Sequence, residues 1–131
     1  MSYKKYNKYN ACKRYTADGL KFDSSKEYRR YLYLKDRLRN GEISNLRTQV
    51  KYLLIPEQRE PSFTTKTGKV KQGKLIEREC SYIADFVYFD NEQQEEIVED
   101  VKGYRKSMGY NYYVIKRKLM LYVHGIKITE I

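Results

Sequence analysis

The residues best suited to chemistry in this 131-residue sequence are two aspartates and a lysine in neighbouring apolar segments. Asp85 is the single acid inside the run SYIADFVYF, and Asp100 precedes Lys102 by two positions in IVEDVKG. Because side chains alternate faces along a β-strand, we expect Asp100 and Lys102 on one face, roughly 7 Å apart, and Glu99 on the other. A lone carboxylate in an apolar strand is unfavourable unless it is paired or binds a cation. These residues therefore form a candidate site. There are simpler alternatives: Asp85 can lie in a turn or a salt bridge, and Asp100 and Lys102 can form a surface ion pair.

The expected chemistry follows from the oxygen ligands and the nearby amine. If the two segments form a hairpin, Asp85 and Asp100 lie on neighbouring strands, where two carboxylates repel unless a cation separates them. Oxygen ligands favour Mg²⁺, for which Mn²⁺ can substitute. Cys12 and Cys80 form no C-x-x-C pair, so we expect no zinc site. A lysine beside such a metal can hold an attacking water or stabilise charge on a phosphate, which is typical of phosphodiester hydrolysis.

The distribution of charge favours a polyanionic partner. The net charge is +10. Residues 1–39 contain 12 basic and 4 acidic residues, residues 40–101 contain 8 and 12, and residues 102–131 contain 7 and 1. Basic ends attract nucleic acid, whereas an acidic middle attracts a cation. A solvated basic surface without a partner is the alternative.

The elements that must position these residues follow the order αβββαβ in a single domain over residues 1–131. Ser24 and Glu27 form an S-x-x-E capping box that begins a helix, and Asn40-Gly41 ends it. The remaining elements are expected at residues 46–55, 79–89 and 96–102 (strands), 111–123 (helix) and 126–131 (strand). This order predicts an α/β fold (also described as α+β) with a central mixed sheet flanked by helices. The second and third strands form an antiparallel hairpin, and a crossover reaches the last strand.

Further expectations concern individual segments. Residues 1–15 are predicted to be a flexible basic arm, and residues 56–73 a basic loop outside the core. The strand at 46–55 is apolar enough to lie inside the sheet. Each helix has an inward stripe. The stripes consist of Glu27, Tyr31, Leu34 and Leu38 in the first helix and Tyr112, Ile115, Leu119 and Tyr122 in the second.

Asp85 followed by Asp100-Val101-Lys102 resembles the motif of the PD-(D/E)XK nuclease superfamily, although Ala84 replaces the proline of the motif's name. The order αβββαβ resembles the restriction-endonuclease-like core of that superfamily. The wider sequence is similar to a group of small phage-encoded members related to Holliday-junction resolvases. The similar stretches lie between Asp18 and Met120 and are DGLKFDSSKEYRRYLYL, LRTQVKYLLIP, YIADFVYFD, VEDVKG and YVIKRKLM.

The resemblance implies a Mg²⁺-dependent endodeoxyribonuclease that hydrolyses phosphodiester bonds in phage DNA replication or recombination. A Holliday-junction resolvase is its most specific form. It implies that Asp85 and Asp100 bind the metal, that Lys102 is catalytic, and that the first helix supplies Glu27 as a further ligand. The capping box explains Glu27 equally well. The resemblance also implies a homodimer, because two DNA strands must be cut.

Other polar residues are secondary candidates. Gln49, in the middle of a strand, can orient a metal-bound water or simply bond to a neighbour. Glu99 is a competing metal ligand. Contacts to nucleic acid and a plain solvated surface are both open for five lysines, Lys66, Lys69, Lys106, Lys116 and Lys118.

Several functions compete with that of a DNA nuclease. The same fold can serve as a catalytically inactive DNA-binding module, act on RNA, or bind an acidic protein. Clustered acids argue against a pure DNA binder, because such a protein has no need of acids that face DNA. The sequence has no apolar signal region and no run of membrane-spanning length, so we expect a protein of the cytoplasm, the host's if it is phage-encoded, without a membrane partner.

Overall fold

A computed structural model describes the backbone of residues 14–15 and all of residues 19–103 and 108–131. In these residues it contains two helices, α1 (Ser25–Arg39) and α2 (Met108–His124). The strands are β1 (Arg14–Tyr15), β2 (Lys21–Phe22), β3 (Ile43–Ile55), β4 (Gln58–Arg59), β5 (Phe63–Thr64), β6 (Val70–Lys71), β7 (Leu75–Glu77), β8 (Cys80–Asp90), β9 (Glu95–Asp100) and β10 (Thr129–Glu130). The predicted α/β class is confirmed, because the helices accompany a central mixed sheet.

The central sheet has four strands in the order β10-β9-β8-β3. β8 and β9 pair antiparallel with Phe86 opposite Glu99, which confirms the predicted hairpin. β10 pairs parallel with β9, so the chain returns to the sheet through a crossover that contains α2, as predicted. β9 ends at Asp100, two residues before the predicted end, and Lys102 follows the strand.

The prediction that the first long strand is internal is wrong, since β3 lies at the edge of this sheet among the described strands. Asn45 and Gln49 interrupt its extended backbone with φ values of 52° and 53°. Such left-handed residues are uncommon outside glycine and often accompany irregular edge strands. Apolar composition alone does not reveal whether a strand has one neighbour or two, and this is why the prediction failed.

A capped start and one buried face define α1. Ser24 Oγ accepts a hydrogen bond from the backbone N of Glu27 at 3.1 Å, as the capping box predicts. Glu27, Tyr31 and Leu34 are the buried residues of the helix, which confirms this part of the predicted stripe. Tyr31 and Leu34 belong to a cluster that also contains Phe22, Ile43, Phe86 and Tyr88. Burial of this apolar surface therefore fixes α1 over β8.

The predicted inner stripe of α2 is wrong. Tyr113 and Met120 are the buried residues, whereas Tyr112 and Tyr122 are 60% and 88% exposed. Tyr113 lies against Tyr82 with ring centroids 6.3 Å apart. Apolar residues occur on several faces of α2, so periodicity did not identify the buried one. In the part of the chain that the structure describes, no helix is long and apolar enough to cross a membrane.

Two segments predicted to be irregular contain strands. Within residues 56–73, β5 pairs antiparallel with β6, and β4 pairs with β7 just beyond the segment. The segment is nevertheless exposed almost throughout, as expected for a region outside the core. Arg14–Tyr15, the end of the predicted basic arm, forms β1 and pairs with β2, while residues 1–13 lie outside the described residues.

The described residues divide into two compact units. The first contains residues 19–50, 84–103 and 128–131, and the second contains residues 51–83 and 108–127. The first unit holds the cluster around Phe22 and Leu34. The second holds the contact between Tyr82 and Tyr113. Whether residues 1–131 fold as a single domain stays a prediction.

Candidate active site

The β8–β9 hairpin places Asp85 beside the end of β9. The register that pairs Phe86 with Glu99 carries Asp85 to the position next to Asp100. Asp85 Oδ2 accepts a hydrogen bond from the backbone N of Val101 at 2.8 Å. The carboxylate therefore binds the backbone at the point where β9 has ended, and the two predicted acids come together.

Lys102 pairs directly with Asp100. Its Nζ lies 2.7 Å from Asp100 Oδ1, and the two side chains are only 15% and 9% exposed. The predicted proximity of these side chains is therefore present, even though Lys102 follows the strand instead of belonging to it. An ion pair shielded from water is less weakened by salt than a surface pair.

Glu27 reaches the same centre from α1. It is 6% exposed, and its Oε1 accepts a hydrogen bond from Gln49 Nε2 at 3.1 Å. The backbone of Asp23 also donates to this carboxylate. Ser24 caps the helix through the backbone N of Glu27, whereas the Glu27 carboxylate bonds to Gln49. A role of the carboxylate in the site is therefore compatible with the cap.

Gln49 connects two of the acids. Its Nε2 donates to Glu27 Oε1 at 3.1 Å and lies 3.4 Å from Asp85 Oδ1. Of the two roles left open by the sequence, the structure shows the bond to neighbouring side chains. The φ of 53° at Gln49 places the residue in a region that costs on the order of 1–3 kcal/mol outside glycine. A strained residue at this point is consistent with a functional site.

The electrostatics of the centre are unfavourable to ionised acids. Burial, followed by repulsion from Asp85, raises the pKa of Glu27 to about 7. Burial raises the pKa of Asp85 to about 6, and repulsion from Asp100 adds to the shift. The bonds from Val101 and Gln49 lower the pKa of Asp85 but do not cancel these effects. Burial and the neighbouring carboxylates therefore disfavour the charged forms of Glu27 and Asp85.

The chemistry of this donor set fits a hard divalent cation. Carboxylates from α1, β8 and β9 supply the oxygen ligands that Mg²⁺ and Mn²⁺ prefer, and a cation would relieve their repulsion. Among the described residues, no group of three or more His, Cys, Asp or Glu side chains is arranged to hold a metal ion. Instead, Gln49 donates to Glu27, the backbone N of Val101 donates to Asp85, and Lys102 pairs with Asp100. A cation at these carboxylates would have to displace these bonds.

Glu99 belongs to a different cluster. Arg30 Nη2 and Nε donate to its two carboxylate oxygens at 2.5 and 2.9 Å, and Tyr88 donates its hydroxyl at 2.6 Å. The Glu99 side chain is 1% exposed. Its oxygens are thus committed to a buried ion pair, and the structure does not support Glu99 as a metal ligand. The sequence indicated that this acid needs a partner, but only the packing of α1 on the sheet identifies Arg30.

Lys26 is a residue of the site that the sequence did not reveal. Its Nζ donates to the backbone oxygen of Lys102 at 2.6 Å and to that of Ile131 at 2.9 Å. Ile131 in turn donates its backbone N to Asp100 O at 2.9 Å. Lys26 therefore joins the first turn of α1 to the chain that carries Asp100 and Lys102. Its position next to Glu27 in the sequence indicates a role in the site only once α1 is known to lie beside β9.

The lysines predicted to contact nucleic acid are separate from this centre in the sequence. Lys66 and Lys69 are exposed near the turn between β5 and β6. On α2, Lys118 is exposed, and Lys116 is half-buried in a cleft of about 330 Å³ that Tyr112 also lines. Lys106 lies outside the described residues.

Fold and site together define a small α/β protein with an acidic centre at the end of a β-hairpin. The chain belongs to the family described as "Protein of unknown function (DUF1064)", whose family model matches residues 6–129. No curated protein and no solved structure gives a match. The family description names no activity.

Proposed function

We propose that the protein is a metal-dependent DNA endonuclease of the PD-(D/E)XK type. The observation that carries this proposal is the convergence of Asp85 with the Asp100–Lys102 pair, which Glu27 joins from α1. The order of these residues resembles the superfamily motif. A net charge of +10 favours a polyanionic substrate.

The roles follow from the chemistry of each side chain. Asp85, Asp100 and Glu27 would hold Mg²⁺, for which Mn²⁺ can substitute. When bound, such an ion polarises a phosphate and lowers the pKa of a water molecule. Lys102 keeps an ammonium group in the centre, where it can orient the water or stabilise developing negative charge. Gln49 holds the carboxylates of Glu27 and Asp85 side by side.

The biological setting is part of the proposal and rests on the resemblance. We assign the protein to phage DNA replication or recombination in the cytoplasm of the host cell. Branched DNA such as a Holliday junction is the most specific substrate. A homodimer is the expected assembly, because resolution of a junction requires two cuts.

A second candidate is a catalytically inactive DNA-binding module with a nuclease fold. The observation that favours it is the engagement of the acids: Lys102 pairs with Asp100, and Asp85 binds the backbone of Val101. In an inactive module these bonds would persist whether or not Mg²⁺ is present.

Cleavage assays separate the two candidates. The protein is incubated with Mg²⁺, Mn²⁺ or EDTA and with linear, flapped and four-way-junction DNA. We expect metal-dependent cleavage that falls more than about 100-fold in Asp85→Asn, since even outer-shell substitutions at metal sites cost 10–100-fold. Asp36→Asn removes a carboxylate that is 66% exposed and serves as the matched control. Binding without cleavage would support the inactive module, and equal activity of both variants would show that the site is elsewhere.

A further inference from the structure

Residues 58–77, here called the basic ribbon, form two nested antiparallel ladders. At the base, β4 pairs with β7 so that Gln58 lies opposite Glu77. Further out, β5 pairs with β6 so that Phe63 lies opposite Lys71. The whole ribbon belongs to the second compact unit. The sequence predicted a loop within this region, and the structure has two antiparallel ladders instead.

Backbone hydrogen bonds join the two arms of the basic ribbon at its tip and between its two ladders. At the tip, Thr65 N donates to Lys69 O at 2.8 Å, and Gly68 adopts a φ of 84° that suits a tight turn. Between the β4–β7 and β5–β6 ladders, Glu60 N donates to Lys74 O at 2.8 Å. A Cβ on Gly73 would lie 1.9 Å from Glu60 O, so only glycine permits this close approach. The ribbon is therefore a built element that presents its tip in a defined shape.

The outer part of the ribbon carries only positive charge. Residues 62–74 contain four lysines, Lys66, Lys69, Lys71 and Lys74, and no Asp or Glu. All four are exposed. Lys69 directly precedes β6 and Lys71 ends it, so the two lysines lie on either side of Val70 on the same arm of the ribbon. An exposed strip of this kind attracts a polyanion and has no acid of its own to satisfy it.

The shape of the ribbon distinguishes between nucleic acids. The major groove of B-DNA, about 12 Å wide, admits a two-stranded β-ribbon. Single-strand binders stack bases on several aromatic rings, whereas Phe63 is the only aromatic residue within 62–74. The major groove of duplex RNA is too deep and narrow for side chains to enter. Duplex DNA is thus the polyanion that fits.

We infer that the basic ribbon lies in the major groove of duplex DNA, with its lysines on the phosphates of the groove edges. This inference deepens the proposed function, on which it rests for the choice of DNA. Duplex DNA is then the form of DNA that is recognised, and the basic ribbon is the element that binds it.

Binding measured in EDTA tests the ribbon independently of cleavage. Fluorescence anisotropy with a labelled duplex compares the wild type with Lys69→Gln/Lys71→Gln over a range of salt concentrations. Each lost phosphate contact lowers the slope of log K against log [salt] by about 0.9, so we expect a decrease of about 1.8 in magnitude. The matched control is Lys35→Gln/Lys127→Gln, which removes two other exposed lysines and should leave the slope unchanged.

Substrate form supplies the second readout. The same variants are measured with single-stranded DNA and with duplex RNA of identical sequence, and thermal melting confirms that they fold. We expect the ribbon substitutions to remove most of the preference for duplex DNA. Equal losses on all three nucleic acids, an equal effect of the control pair, or an unchanged affinity for DNA would overturn the inference. Failure of the nuclease proposal would appear separately, as DNA binding without metal-dependent cleavage.

Discussion

Replacement of Glu27 by glutamine should stabilise the metal-free protein above neutral pH. The pKa of this buried acid is raised from 4.5 to about 7 in the folded state. The folded state therefore retains a proton that the unfolded chain releases at lower pH, and stability falls as pH rises from 4.5 to about 7. At about 1.4 kcal/mol per unit of pKa difference, the full loss is about 3 kcal/mol. Glu27→Gln removes the charge while its amide oxygen can still accept the bond from Gln49.

Urea unfolding at pH 5 and pH 8 in EDTA measures this effect. At pH 8 we expect Glu27→Gln to gain up to about 3 kcal/mol in free energy of unfolding, and at pH 5 to gain much less. The control Glu92→Gln changes an exposed acid and should not show this difference. Saturating Mg²⁺ at pH 8 should stabilise the wild type more than Glu27→Gln, because a bound cation favours the ionised acid. The same stability difference at both pH values would refute the assigned electrostatics.

Further predictions concern single contacts of the site. Arg30→Met should lower the free energy of unfolding by about 3–5 kcal/mol because it leaves Glu99 charged and unpaired, and the added substitution Glu99→Gln should recover part of the loss in urea titrations. Gln49→Gly should be more stable than Gln49→Ala by about 1 kcal/mol in thermal melts, since glycine accepts the positive φ; an equal melting temperature would contradict the strain. Lys26→Met should lower the free energy of unfolding by about 1 kcal/mol for each of its two lost hydrogen bonds, and it should reduce cleavage more than it weakens DNA binding. Lys102→Met should bind Mg²⁺ more tightly by isothermal titration calorimetry while losing cleavage, because its ammonium competes with the metal for Asp100.

Local rules were sufficient for the parts of the fold that depend on neighbours in sequence. Ser24 and Glu27 identify the start of α1, and two apolar segments that follow each other closely in the chain identify the β8–β9 hairpin. Strand parity then brings Asp85 and Asp100 together, because the partner strand follows directly in the chain. These local features position the acids at the centre of the site, so the acids could be predicted from the sequence.

Other features depend on contacts between distant segments and were missed. The edge position of β3 follows from which strands meet, and the buried face of α2 follows from its contact with Tyr82. Lys26 and Arg30 are ordinary surface cations in a sequence until α1 packs beside β9. The basic ribbon was missed because threonine, lysine and glycine also compose irregular loops, and cross-strand pairing alone distinguishes the two.

The acidic centre is a destabilising feature of the fold, and the proposed metal-dependent function gives a physical reason for it. Glu27 and Asp85 retain raised pKa values despite the donors around them, and Gln49 adds a strained backbone. A protein that only bound DNA would be weakened by acids at its binding surface, because they repel phosphates. A divalent cation reverses both effects, since it neutralises the acids and attracts the phosphate. Under the proposed function, a cation and a phosphate would meet at this centre and offset the destabilisation.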